Sequence, residues 1–322
     1  CQELPSGGLT MASSRAFRFG VTSHEVVSGS DWRSFSRKVE DLGFATLVVP
    51  DHLGDQLSPV PALAVAAEAT TTLRVGPLVA CNDFRHPVVH AKELATLDVL
   101  SDGRVEWGMG AGWVAPEYET AGMSFDRAGV RVDRMQESVV LIKQLFGDHP
   151  VNHQGEHYRV SALDGQPKPI QVPHPPLLIG AAALRMLTFA AREANTIGVA
   201  PSLTARRVGD TPASETVEAA ADRQVRLVKA AANERFDQVE LSMVAFPTIV
   251  TDRREERAAE WGEFLGLEPS QVLASPHVLI GTIDQLCDSL IERRERWGVS
   301  YWVLPAMAVD AIAPVVARLA AS

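Results

Sequence analysis

The sequence predicts an α/β protein: a (β/α)8 TIM barrel with loop excursions. Three observations carry that expectation. Roughly eight short apolar runs alternate with helix-periodic segments along the chain, the rhythm of parallel strands joined by helical crossovers. The first strand turns at Thr22-Ser23-His24-Glu25, without the glycine fingerprint of an open dinucleotide-binding sheet. The run Leu178-Ile179-Gly180-Ala181-Ala182-Ala183-Leu184-Arg185 leads an apolar strand through small residues straight into a helix. The unpartnered N–H groups at such a helix start attract phosphate.

The elements follow in order. The first strand is 17–22 (FRFGVT), and a helix runs from Asp31, a candidate N-cap, to a stop at Gly43. Trp32, Phe35, Val39 and Leu42 mark its apolar face. The second strand, 46–50 (TLVVP), is nearly all apolar, as for a strand buried on both faces, and ends at Asp51-His52. A helix through Leu63, Val65 and Ala67 leads to the third strand, 73–80, where Pro77 removes a ladder donor and predicts an irregularity. After the polar loop 82–86, Pro87 opens a helix carrying Leu94, Leu97 and Leu100. The fourth strand, 105–110, runs into Ala111-Gly112-Trp113; a loop, 116–126, precedes a helix over 130–146. Residues 147–176, rich in proline, glycine and histidine, read as an excursion, because the strand–helix rhythm resumes after them. Strands at 177–180, 196–200, 239–246 and 301–304 complete the set, with helices over 217–232, about 252–265, about 282–297 and a last one ending near Leu319. The stretch 201–214 is expected to be mobile. Residues 16–322 read as one domain, and 1–15 as a flexible arm or an added remnant, with Met11 a plausible natural start.

Composition narrows the function. Hydrophobic residues make up 46% of the chain, enough for a sizeable core. A net charge of −10 disfavours a nucleic-acid partner. No apolar run is long enough to span a bilayer and no signal peptide is evident. Cys1, Cys81 and Cys287 fit neither a zinc site nor a disulfide framework, so reduced thiols in a cytoplasmic protein are expected.

A barrel gathers its chemistry at the C-terminal strand ends. Here these are His24, Asp51-His52, Cys81-Asn82-Asp83, Gly110–Trp113, Gly180–Arg185, Ala200–Ser202 and Pro305. This is too few acids for a two-carboxylate glycosidase and too few histidines for a barrel metallohydrolase. A histidine at a strand end, such as His52, can donate or accept a proton; equally, Asp51 could cap a turn and His52 cover the rim. Adjacent strand residues point apart, so contact between the two is not expected. Gly110 and Gly112 either admit a planar ring walled by Trp113 or serve an unusual turn. The histidines 149, 153, 157 and 174 sit in the excursion without a helical pair, which favours solvated side chains over a metal site. Arg131, Arg134 and Glu137 share a helix face and read as a surface or subunit ion network. Glu106, inside a strand, needs a partner if buried.

The segments EDLGFATLVVPDHLGD, ATTTLRVGPLVACNDFRHPVV, ATLDVLSDGRVEWGMGAGW, GVRVDRMQESVVLIKQLF and HPPLLIGAAALRMLTFAAREANTIGV, with FRFGV before and HVLIGTIDQLCDSLIERRERWGV after, resemble the bacterial luciferase-like superfamily, within it the branch that uses the deazaflavin coenzyme F420. The resemblance implies that His52, beside Asp51, assists proton transfer next to the deazaflavin. It implies that a bulge at Val79, Ala80, Cys81 and Asn82, often with a non-proline cis peptide, backs the ring. Gly110, Gly112 and Trp113 would line the ring and substrate pocket, and Gly180, Ala181, Ala182, Ala183 and Leu184 would bind the phosphate. Catalytic roles therefore fall to His52, Asp51 and Trp113, with no metal, and a homodimer is implied.

Relatives usually carry glycines at 181–183. Alanine keeps the amides accessible but disfavours positive φ, so a narrower loop or altered affinity is expected. Trp113 stands where some sugar-phosphate dehydrogenases of the family carry an acid, which disfavours that substrate class. The expected function is F420-dependent hydride transfer to or from an apolar organic substrate, an alkene, imine, carbonyl or alcohol. Its pocket would contain Trp113 and Phe84, with Trp302 a further candidate. The alternatives are an FMN-dependent monooxygenase using reduced flavin and oxygen, and a non-catalytic flavin-binding barrel.

Overall fold

The computed structural model describes residues 15–25, 27–201 and 217–320. Strand β1 (Arg18–Thr22) leads through helix α1 (Gly29–Asp41) to β2 (Thr46–Val49) and α2 (Pro59–Ala69). The third stave is broken into β3 (Arg74–Pro77) and β4 (Ala80–Cys81), then α3 (Pro87–Leu100) leads to β5 (Trp107–Gly110). A short α4 (Ala115–Thr120) and a long α5 (Ala128–Phe146) come next, followed by β6 (Val151–Gln154) and β7 (Arg159–Leu163). The alternation resumes with β8 (Leu177–Ala181), α6 (Leu184–Glu193), β9 (Thr196–Val199), α7 (Val217–Ala232) and β10 (Glu240–Val244). A second excursion holds β11 (Thr248–Val250), α8 (Arg254–Leu265), α9 (Pro269–Ala274) and β12 (Leu279–Gly281), before α10 (Ile283–Trp297), β13 (Val299–Pro305) and α11 (Val309–Leu319).

The main sheet runs β3-β2-β1-β13-β10-β9-β8-β5-β4, and its pairings are parallel. Because β3 and β4 are halves of one stave, the two ends of that order meet. Val75 of β3 bridges Val105 just ahead of β5, and β4 pairs with β5. The barrel thus closes as expected. Between strands and helices lies the main core, in which Phe19, Leu47, Trp107, Met109 and Ile179 are almost fully buried. A smaller lumen cluster joins Val48, Leu178, Tyr301 and Val303, with Leu78 and Val79 against it. None of the described helices is long and apolar enough to cross a membrane.

Several expectations need correction. The cap of α1 is Ser28, not Asp31: Ser28 Oγ accepts the Asp31 N–H at 3.2 Å and donates to the Asp31 carboxylate at 2.6 Å, a Ser-x-x-acid arrangement legible in sequence. The 147–176 excursion contains the β6–β7 antiparallel hairpin. The strand expected over 239–246 ends at Val244, and the parallel β11–β12 pair that follows was not expected. Helix α4 replaces part of an expected loop. Trp302 is fully buried, with the Arg293 guanidinium 5.7 Å from its ring, and does not reach the barrel mouth. Arg131, Arg134 and Glu137 are not a surface network. Arg131 is buried, Arg134 grips Asp83, and Glu137 accepts from His153 and from the His157 and Tyr158 amides. Residues 202–214 of the stretch expected to be mobile, and 1–14 of the N-terminal arm, lie outside the described residues.

Glu106 does have partners. At the N-terminal end of the barrel its carboxylate takes Arg18 and, at 2.8 Å, Arg74 Nε. Arg18 also reaches Glu240 at 2.6 Å and lies 3.9 Å above the Tyr301 ring. This network plugs the end opposite the site, where residues serve stability rather than chemistry.

Glu40, near the end of α1, ties that helix to the start of β3. Its Oε1 accepts the N–H groups of Thr71, Thr72 and Leu73 at 2.9, 2.6 and 2.9 Å. Burial pushes this carboxyl up, but the three amides outweigh it and hold it at about 2. Its contribution is therefore complete above the ordinary value of 4.5 and disappears as pH falls through about 2. Glu40→Ala should lower the unfolding free energy by about 1 kcal/mol at neutral pH, a solvent-screened value. Urea titrations should show that difference shrinking below pH 4.5; a constant difference would mean that the carboxylate charge is not what holds the turn.

Candidate active site

The C-terminal strand ends enclose a cavity of about 350 Å3 at the barrel mouth, within the range of small-molecule sites. Its floor is Val79. Pro77 ends β3, the Leu78-Val79 peptide is cis, and β4 begins at Ala80. The expected irregularity at Pro77 and bulge at 79–82 are both present. The neighbouring staves make room with glycine. A Cβ on Gly108 would strike the Pro77 carbonyl oxygen, and one on Gly110 would lie 2.6 Å from Val79 Cγ2. Gly112 has φ +74 and sits against the Tyr118 hydroxyl, so it serves a turn as well as the pocket.

Asp51 and His52 leave β2 in different directions. Asp51 is 5% exposed. It accepts the Cys81 N–H at 2.9 Å and a two-pronged Arg85 guanidinium at 2.5 and 3.1 Å. His52 Nδ1 lies 2.9 Å from a Glu117 oxygen, and the ring stands edge-on to Trp113 with centroids 6.0 Å apart. A carboxylate on Nδ1 fixes the orientation of the ring and leaves Nε2 as the exchangeable position. Nε2 has no hydrogen-bond partner among the described residues. His24 is near enough to His52 to be affected by it; burial first, then His52, pushes the His24 imidazole below its ordinary value.

Beneath the floor runs a polar chain. Cys81 Sγ lies 3.2 Å from the Tyr118 hydroxyl, which donates to Asp83 at 3.1 Å, and Arg134 forks onto Asp83 at 2.8 and 3.0 Å. Burial pushes the Cys81 thiol up to about 11 and, together with Cys81 and Asp83, raises the Tyr118 phenol. Both groups therefore stay protonated at neutral pH. Asn82 bonds the Tyr158 hydroxyl at 3.1 Å.

On the far side β8 runs into α6. Ala183 is the N-cap, extended at φ −94, ψ 154, and no side chain caps the helix. Its first N–H groups therefore have no intrahelical acceptor and suit an anion. Gln224 of α7 takes the Ala182 carbonyl at 2.8 Å and the Ala200 carbonyl at 3.0 Å. None of the residues 180–184 has positive φ, so alanine at 181–183 imposes no strain on this turn.

Most of the expected site residues converge. Asp51, His52, Val79, Cys81, Gly110, Gly112, Trp113, Gly180, Ala181, Ala182 and Ala183 line the cavity, as does Phe84. Three do not. Ala80 is buried on β4, Asn82 points to Tyr158, and Leu184 is the exposed first residue of α6. The sequence reading missed Glu117, Tyr118 and Arg131, which also line it. Pro116-Glu117 is a helix-start signal that could have placed α4; the position of Arg131 depends on how α5 packs and carries no local signal.

The chain matches the luciferase-like monooxygenase family over residues 14–297 and belongs to it. It is 29% identical over 180 residues to an F420-dependent hydroxymycolic acid dehydrogenase of Mycobacterium tuberculosis, covering 53% of this chain and 49% of that one. It is 32% identical over 150 residues to the oxygenase component of a flavin-dependent trigonelline monooxygenase of Acinetobacter baylyi, covering 45% and 40%. The chain spans about half the length of the curated relatives it matches. In fold it is similar to the coenzyme F420-dependent tetrahydromethanopterin reductase of Methanopyrus kandleri, with TM-score 0.73 and 19% identity over 95% of this chain and 98% of that one.

The floor makes a direct test. Gly110→Ala should cost about 1–3 kcal/mol by overpacking, and Val79→Ala in the same chain should restore most of the loss by removing the opposed methyl. Denaturant unfolding of the double-mutant cycle reads this; additive losses would mean that the two residues are not in tight contact.

Proposed function

We propose that the protein is an F420-dependent oxidoreductase that transfers a hydride between the deazaflavin and an apolar organic substrate, an alkene, imine, carbonyl or alcohol. The observation that carries this reading is the single cavity in which His52 and the uncapped amides of α6 share the Val79 floor. The residues present fit such a cofactor. Leu78 and Val79 offer an apolar surface for a planar ring, Gly110 lets Val79 seat in that floor, and the α6 amides suit a phosphate. Bound there, the cofactor would supply or accept the hydride.

The remaining work falls to the chain. His52 gives a proton to the oxygen or carbon anion left when a substrate is reduced, or takes one from an alcohol that is oxidised. Glu117 orients the His52 ring. Asp51 holds the backbone of the site through Cys81 and Arg85, so its part in catalysis is positioning. Trp113 walls the substrate side, and Phe84 and Met186 extend the apolar lining. The similarity to an F420-dependent dehydrogenase supports this cofactor, whereas the similarity to a flavin-dependent monooxygenase supports the second reading, FMN with oxygen. A homodimer belongs to the same proposal: α3 exposes Val89, Val99 and Leu100, a face suited to burial against a second copy.

Fluorescence titration with F420 and oxygen uptake with reduced FMN separate the two readings. Saturable F420 binding without oxygen uptake supports the first; oxygen uptake with no F420 binding overturns it in favour of the monooxygenase. Within the first reading, His52→Gln should lower kcat by about 10²–10⁴ with cofactor affinity within a few-fold of wild type. Glu117→Gln should show a smaller loss in the same direction. Undiminished turnover of a substrate by His52→Gln would remove the proton-transfer role.

A further inference from the structure

Arg131 is a buried cation without a counter-charge. It is 8% exposed, stands in the first turn of α5 and lines the cavity. Its Nη1 donates to the Asp126 carbonyl, its Nη2 lies 3.4 Å from the Gly112 carbonyl, and its Nε has no partner. The guanidinium carbon lies over the Phe125 ring, 3.9 Å from its centre. None of the described carboxylates pairs with it. The nearby acids are engaged elsewhere: Asp83 and Asp126 by Arg134, Asp51 by Arg85, Glu117 by His52. Leaving a buried charge unpaired is costly, and carbonyl oxygens compensate it only in part. The same cavity also receives the positive end of α6. In a chain of net charge −10, the two acids lining this cavity, Asp51 and Glu117, are thus paired with other residues, and the guanidinium is left without one.

We propose that Arg131 receives an oxyanion, a carboxylate or phosphate group carried into the cavity by a ligand. Its planar fork suits either group, and the stacked Phe125 ring holds it in place. The proposal deepens the oxidoreductase reading, since the anion comes either from the cofactor tail or from an acidic substrate. It stands on the missing counter-charge, however, and does not need redox turnover.

The test uses the whole chain with inorganic phosphate and with benzoate as probes, read by thermal unfolding. Both anions should raise the Tm of wild type in a saturable way. Arg131→Met should fold with a Tm no lower than wild type in anion-free buffer, because replacing an unpaired buried charge by an apolar chain is neutral or stabilising. Its half-saturating anion concentration should rise at least tenfold. Arg131→Lys, which keeps the charge, should retain the response in weakened form, and it serves as the informative variant if the methionine chain does not fold. FMN against riboflavin distinguishes the sources: a tenfold loss in Arg131→Met for FMN alone assigns the cofactor phosphate, and equal binding of both flavins assigns the substrate. No anion-dependent shift in wild type, or equal shifts in wild type and variants, would overturn the proposal. An anion response in a protein that binds neither F420 nor FMN would keep it while removing the redox reading.

Discussion

The mouth of the barrel depends on the Asp51 carboxylate. The third stave cannot run straight past Pro77: it stops, turns through Leu78-Val79 and restarts at Ala80. The restart is held because Asp51, at the end of the adjacent stave, accepts the Cys81 N–H and the Arg85 fork together. Arg85 is steadied in turn by Glu93 at 3.3 Å. A carboxylate that is 5% exposed is tolerable only with such partners. The same contact sets where Val79 enters the lumen and where the next residue, His52, begins.

The two barrel ends divide their tasks. At the N-terminal end, Arg18, Arg74, Glu106 and Glu240 form a closed ion network around Tyr301, with both charges matched. At the C-terminal end the lining is largely apolar, and the polar groups that remain are few and directed. His52 is oriented by Glu117, the α6 amides are uncapped, and Arg131 has no acid partner. Matched charges at one end and an unpaired cation at the other distinguish scaffold from binding site here.

Much of this was legible in the chain. Eight strand-like runs of fitting length and their helical partners mark the barrel, because a strand buried on both faces reads as an unbroken apolar run such as 46–50. Pro77 announced the break in the third stave, and the 178–185 run announced the open helix start. What escaped notice was set by tertiary contact. Gly110 is glycine because Val79 crosses toward it; Arg134 faces inward because Asp83, just after β4, meets it, and Glu137 because the β6–β7 hairpin folds over α5. The β11–β12 pair is too short to rise above the background of apolar triplets. The alanine run departs from the glycines of relatives without cost, because its backbone never enters positive φ, and spacing alone could not show that.

The central claim is that one cavity, floored by Val79 and bounded by the α6 amides, is where a planar redox cofactor binds. A crystal structure of the protein grown with F420 tests it most directly. The expected result places the ring against Leu78 and Val79, within reach of His52 Nε2, with the tail phosphate on the amides at Ala183 and Leu184. Density for the ring outside the barrel mouth, or a phosphate that leaves the start of α6 untouched, would contradict the account.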